Sequence, residues 1–183
     1  MQDKVTPLGG QFKYYFNGSR DANHGFRENG QWRITSFDIK TAYELPEELL
    51  KLYVNVKHVH DVIRNPGELT FQQYKDNPSH SNKPRDGRSF NMTIVQLGAD
   101  SKFWDQKITA SLMADWRFNN ADFFTTSGTF TTGADPKTDH IATKSRVHDL
   151  IWQVAYDDQW KWLQNKTVAG MEFRRGLETD LRL

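Results

Sequence analysis

Residues 108–118 read Ile-Thr-Ala-Ser-Leu-Met-Ala-Asp-Trp-Arg-Phe. One parity carries Ile108, Ala110, Leu112, Ala114, Trp116 and Phe118, and the other carries Thr109, Ser111, Met113, Asp115 and Arg117. Successive side chains of a strand point to opposite faces, so this stretch makes a strand with one apolar side. A helix would mix Asp115 and Arg117 into the apolar stripe. At roughly 3.3 Å per residue the stretch reaches about 35 Å, longer than the common strand.

The same pattern extends to either side. In 148–157, His148, Leu150, Trp152, Val154 and Tyr156 share a face, and Trp160 and Trp162 continue that parity. Asp157-Asp158-Gln159 between them is expected to turn or bulge. A further strand over 166–174 follows an expected turn at Gln164-Asn165 and aligns Thr167, Ala169, Met171 and Phe173. Gly170 inside it marks a bulge or a close backbone approach. Toward the amino terminus, Phe12, Tyr14 and Phe16 alternate ahead of Asn17-Gly18, a turn dipeptide. Residues 31–39 and 91–96 are rich in β-formers. Pro46-Glu47-Glu48 suits one helical turn, and the β-branched residues between Val54 and Ile63 favour a strand over about 52–62. The competing helical stripe there is Leu49, Tyr53, Val56, Val59 and Ile63. Dense turn residues predict long loops at about 65–89 and 125–144. The fold expected is mainly β: an antiparallel sandwich or barrel with long hairpin strands and at most one or two short helices, in a single domain over 1–183.

Composition narrows the function. The 183 residues hold no cysteine, 24 Lys+Arg against 23 Asp+Glu, and twelve Phe, six Trp and six Tyr. Without cysteine there are no disulfides or thiolate metal sites. The balanced charge provides no global footprint for nucleic acid. The opening MQDKVTPLGGQFKYY lacks an apolar run of signal-peptide type, so cytoplasmic synthesis is expected.

His58-Val59-His60 places two imidazoles on one side of a strand. A metal needs a third ligand; Glu68 and His80 lie downstream, and Glu68, eight residues after His60, is too far to complete a compact motif. Asp139-His140 and His148-Asp149 are adjacent pairs, which a strand points apart, and no nucleophile elbow or phosphate loop is present. Neither catalysis, nor a metal, nor a cofactor is expected. Trp116, Phe118, Trp152, Tyr156, Trp160 and Trp162 are the candidates for an interface or a ligand platform. Lys83, Arg85 and Arg88 are candidate loop contacts.

The leading expectation is a self-assembling structural protein of a virus or phage particle, of tail-tube, connector or accessory capsid type. Its partners would be further copies or neighbouring structural subunits in the virion, with no sequence-specific nucleic acid and no membrane. The alternative is a β-barrel or sandwich that binds a small molecule or carbohydrate on its Trp/Tyr strip. A third reading is an outer-membrane-type barrel, with Trp116 and Phe118 in an aromatic girdle and the polar parity lining a lumen. The missing signal sequence, the carboxy-terminal DLRL without an aromatic, and the weak alternation before residue 45 weigh against it.

Overall fold

A computed structural model describes residues 9–127, 137–160 and 163–182. Among the described residues seven strands form: β1 Gln11–Asn23, β2 Trp32–Glu44, β3 Leu50–Arg64, β4 Gly87–Phe103, β5 Ile108–Ser127, β6 Lys137–Trp160 and β7 Leu163–Arg182. All seven join one antiparallel sheet in chain order, each strand hydrogen-bonded to the next. The mainly antiparallel β architecture with long hairpins is therefore as expected. A 3-10 turn, Pro46–Glu48, and a helix α1, Phe71–Asp76, are the helical elements among the described residues.

The order of turns gives the sheet two unlike ends. Residues 24–31 and 65–86 connect strands at one end. Residues 45–49 and 104–107 connect them at the other. One end carries long connections and the other short turns.

Several expected turns are instead strand. Asn17-Gly18 lies mid-β1, opposite Asp38 and Phe37. The chain turns later, through Gly25 (φ 70°) and Asn29 (φ 54°). Asp157 and Asp158 stay in register with Lys166 and Asn165, and the Asp158 carboxylate meets Lys107 Nζ at 2.7 Å. With Lys107 at Asp158, the strand continues through both acids. No turn falls at Gln164-Asn165, since both residues pair with β6. Of the expected loop over 125–144, residues 125–127 and 137–144 are strand, because β5 runs to Ser127 and β6 begins at Lys137, and 128–136 lie outside the described residues. Thr125, Thr126, Thr138 and Thr143 looked loop-like by polarity, but a β-branched side chain favours the pleated surface. Gly170 stays in unbroken register with Gln153, and a Cβ there would lie 2.7 Å from the Trp152 carbonyl oxygen, so the close approach is the correct reading.

The packing inverts that of a water-soluble domain. Among the described residues no hydrophobic side chain is buried, and the buried ones are Asp61, Ser81, Asp86, Asp115, Thr126 and Asp149. Stability here comes from the ladder, from cross-strand pairs and from polar contacts on one face.

Candidate functional site

Direct cross-strand partners share a face, so the register sorts every strand residue onto one of two surfaces. The row that starts at Phe12 continues through Tyr43, Leu52, Ala99, Leu112, Trp152 and Met171. The next row holds Tyr14, Thr41, Val54, Leu97, Ala114, Leu150 and Phe173. The third holds Phe16, Ile39, Val56, Val95 and Trp116, then turns basic at His148 and Arg175. These rows form an apolar band that crosses the whole sheet. Its side chains stand open, with Phe16 at 69% and Met171 and Phe173 at 63% exposure.

Aromatic rings border the band. Toward the short turns stand Phe12, Tyr43, Phe103 and Tyr156. Toward the long connections stand Phe16, Phe37, Trp116 and Phe118. Beyond the second border the face becomes polar, with Arg20, Thr35, His60, Asn91, Asn120 and Lys144 in one row.

The opposite face is densely charged. Glu44 pairs with Lys13 and with Lys51. Asp61 meets Arg88 at 3.2 Å. Asp115 and Asp149 stand directly opposite each other on β5 and β6. Two adjacent carboxylates repel unless cations surround them. Here Arg117 Nε donates to Asp115 at 2.7 Å, Gln96 Nε2 donates to the other Asp115 oxygen at 2.8 Å, and Arg174 Nε donates to Asp149 at 2.8 Å. Arg117 also reaches Asp149 at 3.6 Å, which closes a network across β4 to β7. Toward the short turns, Tyr53 lays its ring over Gly98, its direct partner, leaving no room for a Cβ.

The first long connection is a built structure. Arg27 Nη1 donates to the Gly67 carbonyl at 2.6 Å, and its Nη2 to that of His80 at 2.9 Å. Asn29 Nδ2 lies 2.6 Å from the Lys83 carbonyl and 2.9 Å from that of Asp86. Buried Asp86 accepts from the Thr126 backbone N–H at 2.6 Å. Thr70 and Gln73 form a reciprocal capping box at the start of α1.

The expected site residues divide accordingly. Trp116, Phe118, Trp152 and Tyr156 do share the apolar face, at separate heights along it. Trp162 lies outside the described residues, and of Trp160 only its place at the end of β6 is described. Lys83, Arg85 and Arg88 are split. Lys83 fastens the connection to Asp86 and to the Thr126 carbonyl, whereas Arg88 belongs to the charged face. His58 and His60 do lie side by side on the apolar face, where His58 Nδ1 meets Thr93 Oγ1 at 2.9 Å and His60 Nδ1 meets Asn91 Oδ1 at 2.6 Å. Among the described residues no group of three metal-ligating side chains forms. Sequence reading missed the charged network, whose members lie far apart in the chain and meet through register alone.

No family model matches the chain, and no curated protein matches it. Among solved structures it is similar to the ferric citrate transporter FecA in its unliganded form, with a TM-score of 0.75 at 13% identity. The match covers 97% of this chain and 25% of that one, so the chain spans a quarter of that protein's length. At this identity the likeness is one of fold.

Proposed function

We propose that this chain forms part of the wall of a β-barrel in an outer-membrane-type bilayer. Its apolar face would meet acyl chains, and its charged face would line the lumen. One observation carries the reading: an exposed apolar band, bordered by aromatics on both sides, on a sheet with no buried hydrophobic side chain among the described residues. On β5 the band runs from Ile108 to Phe118. Ten rises of about 3.4 Å, tilted by about 40°, span about 26 Å, close to the apolar height of such barrels.

Two further features support it. The band slants across the cross-strand rows, since the border marked by Phe12 on β1 is met two rows lower, at Tyr156, on β6. Two rows are about 13 Å over five inter-strand spacings of about 4.8 Å, a slope near 30°, and a band level with a bilayer must slant so when strands tilt. Short turns at one end and long connections at the other match the periplasmic and extracellular ends of such barrels. No helix among the described residues is long and apolar enough to cross a membrane, so strands would do the crossing. The rings considered for subunit contact or sugar stacking would then be interfacial anchors. The likeness to FecA supports this reading through similarity of fold alone.

Tryptophan quenching tests the proposal. In vesicles of phosphatidylcholine brominated along the acyl chains, Trp116 and Trp152 should be strongly quenched, and bromine placed near the bilayer centre should quench Trp152 more than bromine near the headgroup. A folded, unquenched, water-soluble protein would overturn it.

A further inference from the structure

The two faces treat charge differently. On the lumenal face the acids stand among cations, as at Glu44, Asp61, Asp115 and Asp149. On the outward face, just beyond the apolar band at the long-connection end, the charges are almost all positive. Lys144 and Arg146 stand on β6, and Arg175 on β7 is the direct partner of His148. Arg20 and Arg33 occupy the same zone on β1 and β2. Among the described residues none of these five cations forms an ion pair. The outward acids are Asp122, 3.0 Å from His140, and Asp158, which is at the short-turn end and held by Lys107.

We propose that Lys144, Arg146 and Arg175, with His148 beside them, form a binding surface for the phosphate of an anionic lipid headgroup in the leaflet at the long-connection end. The inference rests on the barrel-wall reading, which turns this face toward lipid. Height and sign carry it. Arg146 pairs directly with Phe118 and Arg175 is the next residue beyond Phe173 on the same face of β7, so the cations begin where the acyl region ends. Cross-strand neighbours are about 5 Å apart and alternate residues along a strand about 7 Å, so two or three of these side chains can converge on one phosphate group. A guanidinium suits that group because its N–H groups can engage two phosphate oxygens at once. Charges of one sign left without acids repel each other, and a polyanionic partner removes that cost.

The test uses the full chain in phosphatidylcholine vesicles, titrated with a fluorescent bisphosphorylated glucosamine-disaccharide lipid. Wild type should bind it at least tenfold more tightly than the same lipid stripped of phosphate. R146Q/R175Q should weaken binding about 10- to 30-fold, given the roughly fivefold-per-charge scale for cations near an anionic surface and partial redundancy with Lys144. The charge-matched K57Q/K166Q, on the lumenal face, should leave binding unchanged, and R146K/R175K should retain most of it. Equal binding by wild type and R146Q/R175Q would overturn the proposal. Displacement by 1 mM inorganic phosphate would also overturn it, by showing a site for free anion. Failure of the protein to enter vesicles at all, read by acyl-chain quenching, would remove the barrel-wall reading and this inference together.

Discussion

Adjacent residues on β5 should respond oppositely to the same substitution. Leu112 lies inside the apolar band, flanked by Ala99 and Trp152, whereas Ser111 lies on the charged face between Asp100 and Gln153. Leu112 stands four residues from Ile108 and six from Phe118, the two limits of the band on this strand. At about 3.4 Å per residue and a tilt of about 40°, its Cα sits roughly 10 Å inside the nearer limit. An arginine near that depth should cost about 2–4 kcal/mol, whereas near the limit the cost falls to about 0–1 kcal/mol. Leu112→Arg should therefore lower the folding equilibrium constant about 30- to 900-fold. Ser111→Arg, beside the Asp100 carboxylate, should cost less than about 1 kcal/mol, and so should Asn120→Arg, on the same face as Leu112 but beyond the aromatic border. The assay is reversible urea unfolding of protein folded into phosphatidylcholine vesicles, followed by tryptophan emission, with equal m-values required across the variants. Equal costs at 111 and 112, or a cost at 120 as large as at 112, would refute the assignment of faces and depth.

Three other outcomes follow from local geometry. Hydrogen bonding by Lys102, together with its charge, holds the Glu48 carboxyl below its ordinary range, and Asp158 holds Lys107 above its own. Glu48 should thus add stability that is complete above the usual carboxylate range and lost as pH falls through its lowered value, while Lys107 adds stability complete below the usual lysine range and lost as pH rises through its raised value; Glu48→Gln should blunt the acid dependence of the unfolding midpoint and leave the alkaline limb alone. Gly98→Ala should destabilise by about 1–3 kcal/mol by displacing the Tyr53 ring, and the double change with Tyr53→Ala should recover part of that in a mutant cycle on urea midpoints. Gln106 occupies the left-handed region at φ 63°, so Gln106→Gly should stabilise by about 1 kcal/mol, read as a raised urea midpoint.

Legibility followed alternation and failed where contacts were non-local. The parity of Ile108–Phe118 is visible because apolar residues stand at every second position. In β1 and β2 the same face holds Gly18, Thr35 and Thr41 among Phe16, Phe37 and Ile39, which dilutes the pattern and let Asn17-Gly18 pass for a turn. The tight connection at Trp104–Gln106 was hidden because three consecutive non-glycine residues adopt positive φ there. The aromatic face was readable, but parity alone is the same for a core, an interface and a lipid surface. The proposed lipid surface rests on burial, since the closed-in side chains are carboxylates and hydroxyls rather than rings. The ion network and the outward cations were unreadable for another reason: Asp115, Asp149 and Arg174, or Arg146 and Arg175, become neighbours only once the β5–β6 and β6–β7 registers are set.

The strand count has its own arithmetic. With seven strands in strict alternation, β1 and β7 both run from the short-turn end toward the long-connection end. A ring in which every neighbour is antiparallel has an even number of members, so this arc cannot join its own two edges by the pairing used inside it. Identical copies set side by side in one orientation would meet β7 against β1 in parallel, with evenly spaced, slanted bonds. A two-fold β7–β7 joint would restore antiparallel bonding but turn one copy upside down, carrying its bare cations to the other leaflet. A neighbour that keeps both the bonding and the orientation offers a descending strand to each rim, and cross-links from Glu172 on β7 would show which kind of seam is made.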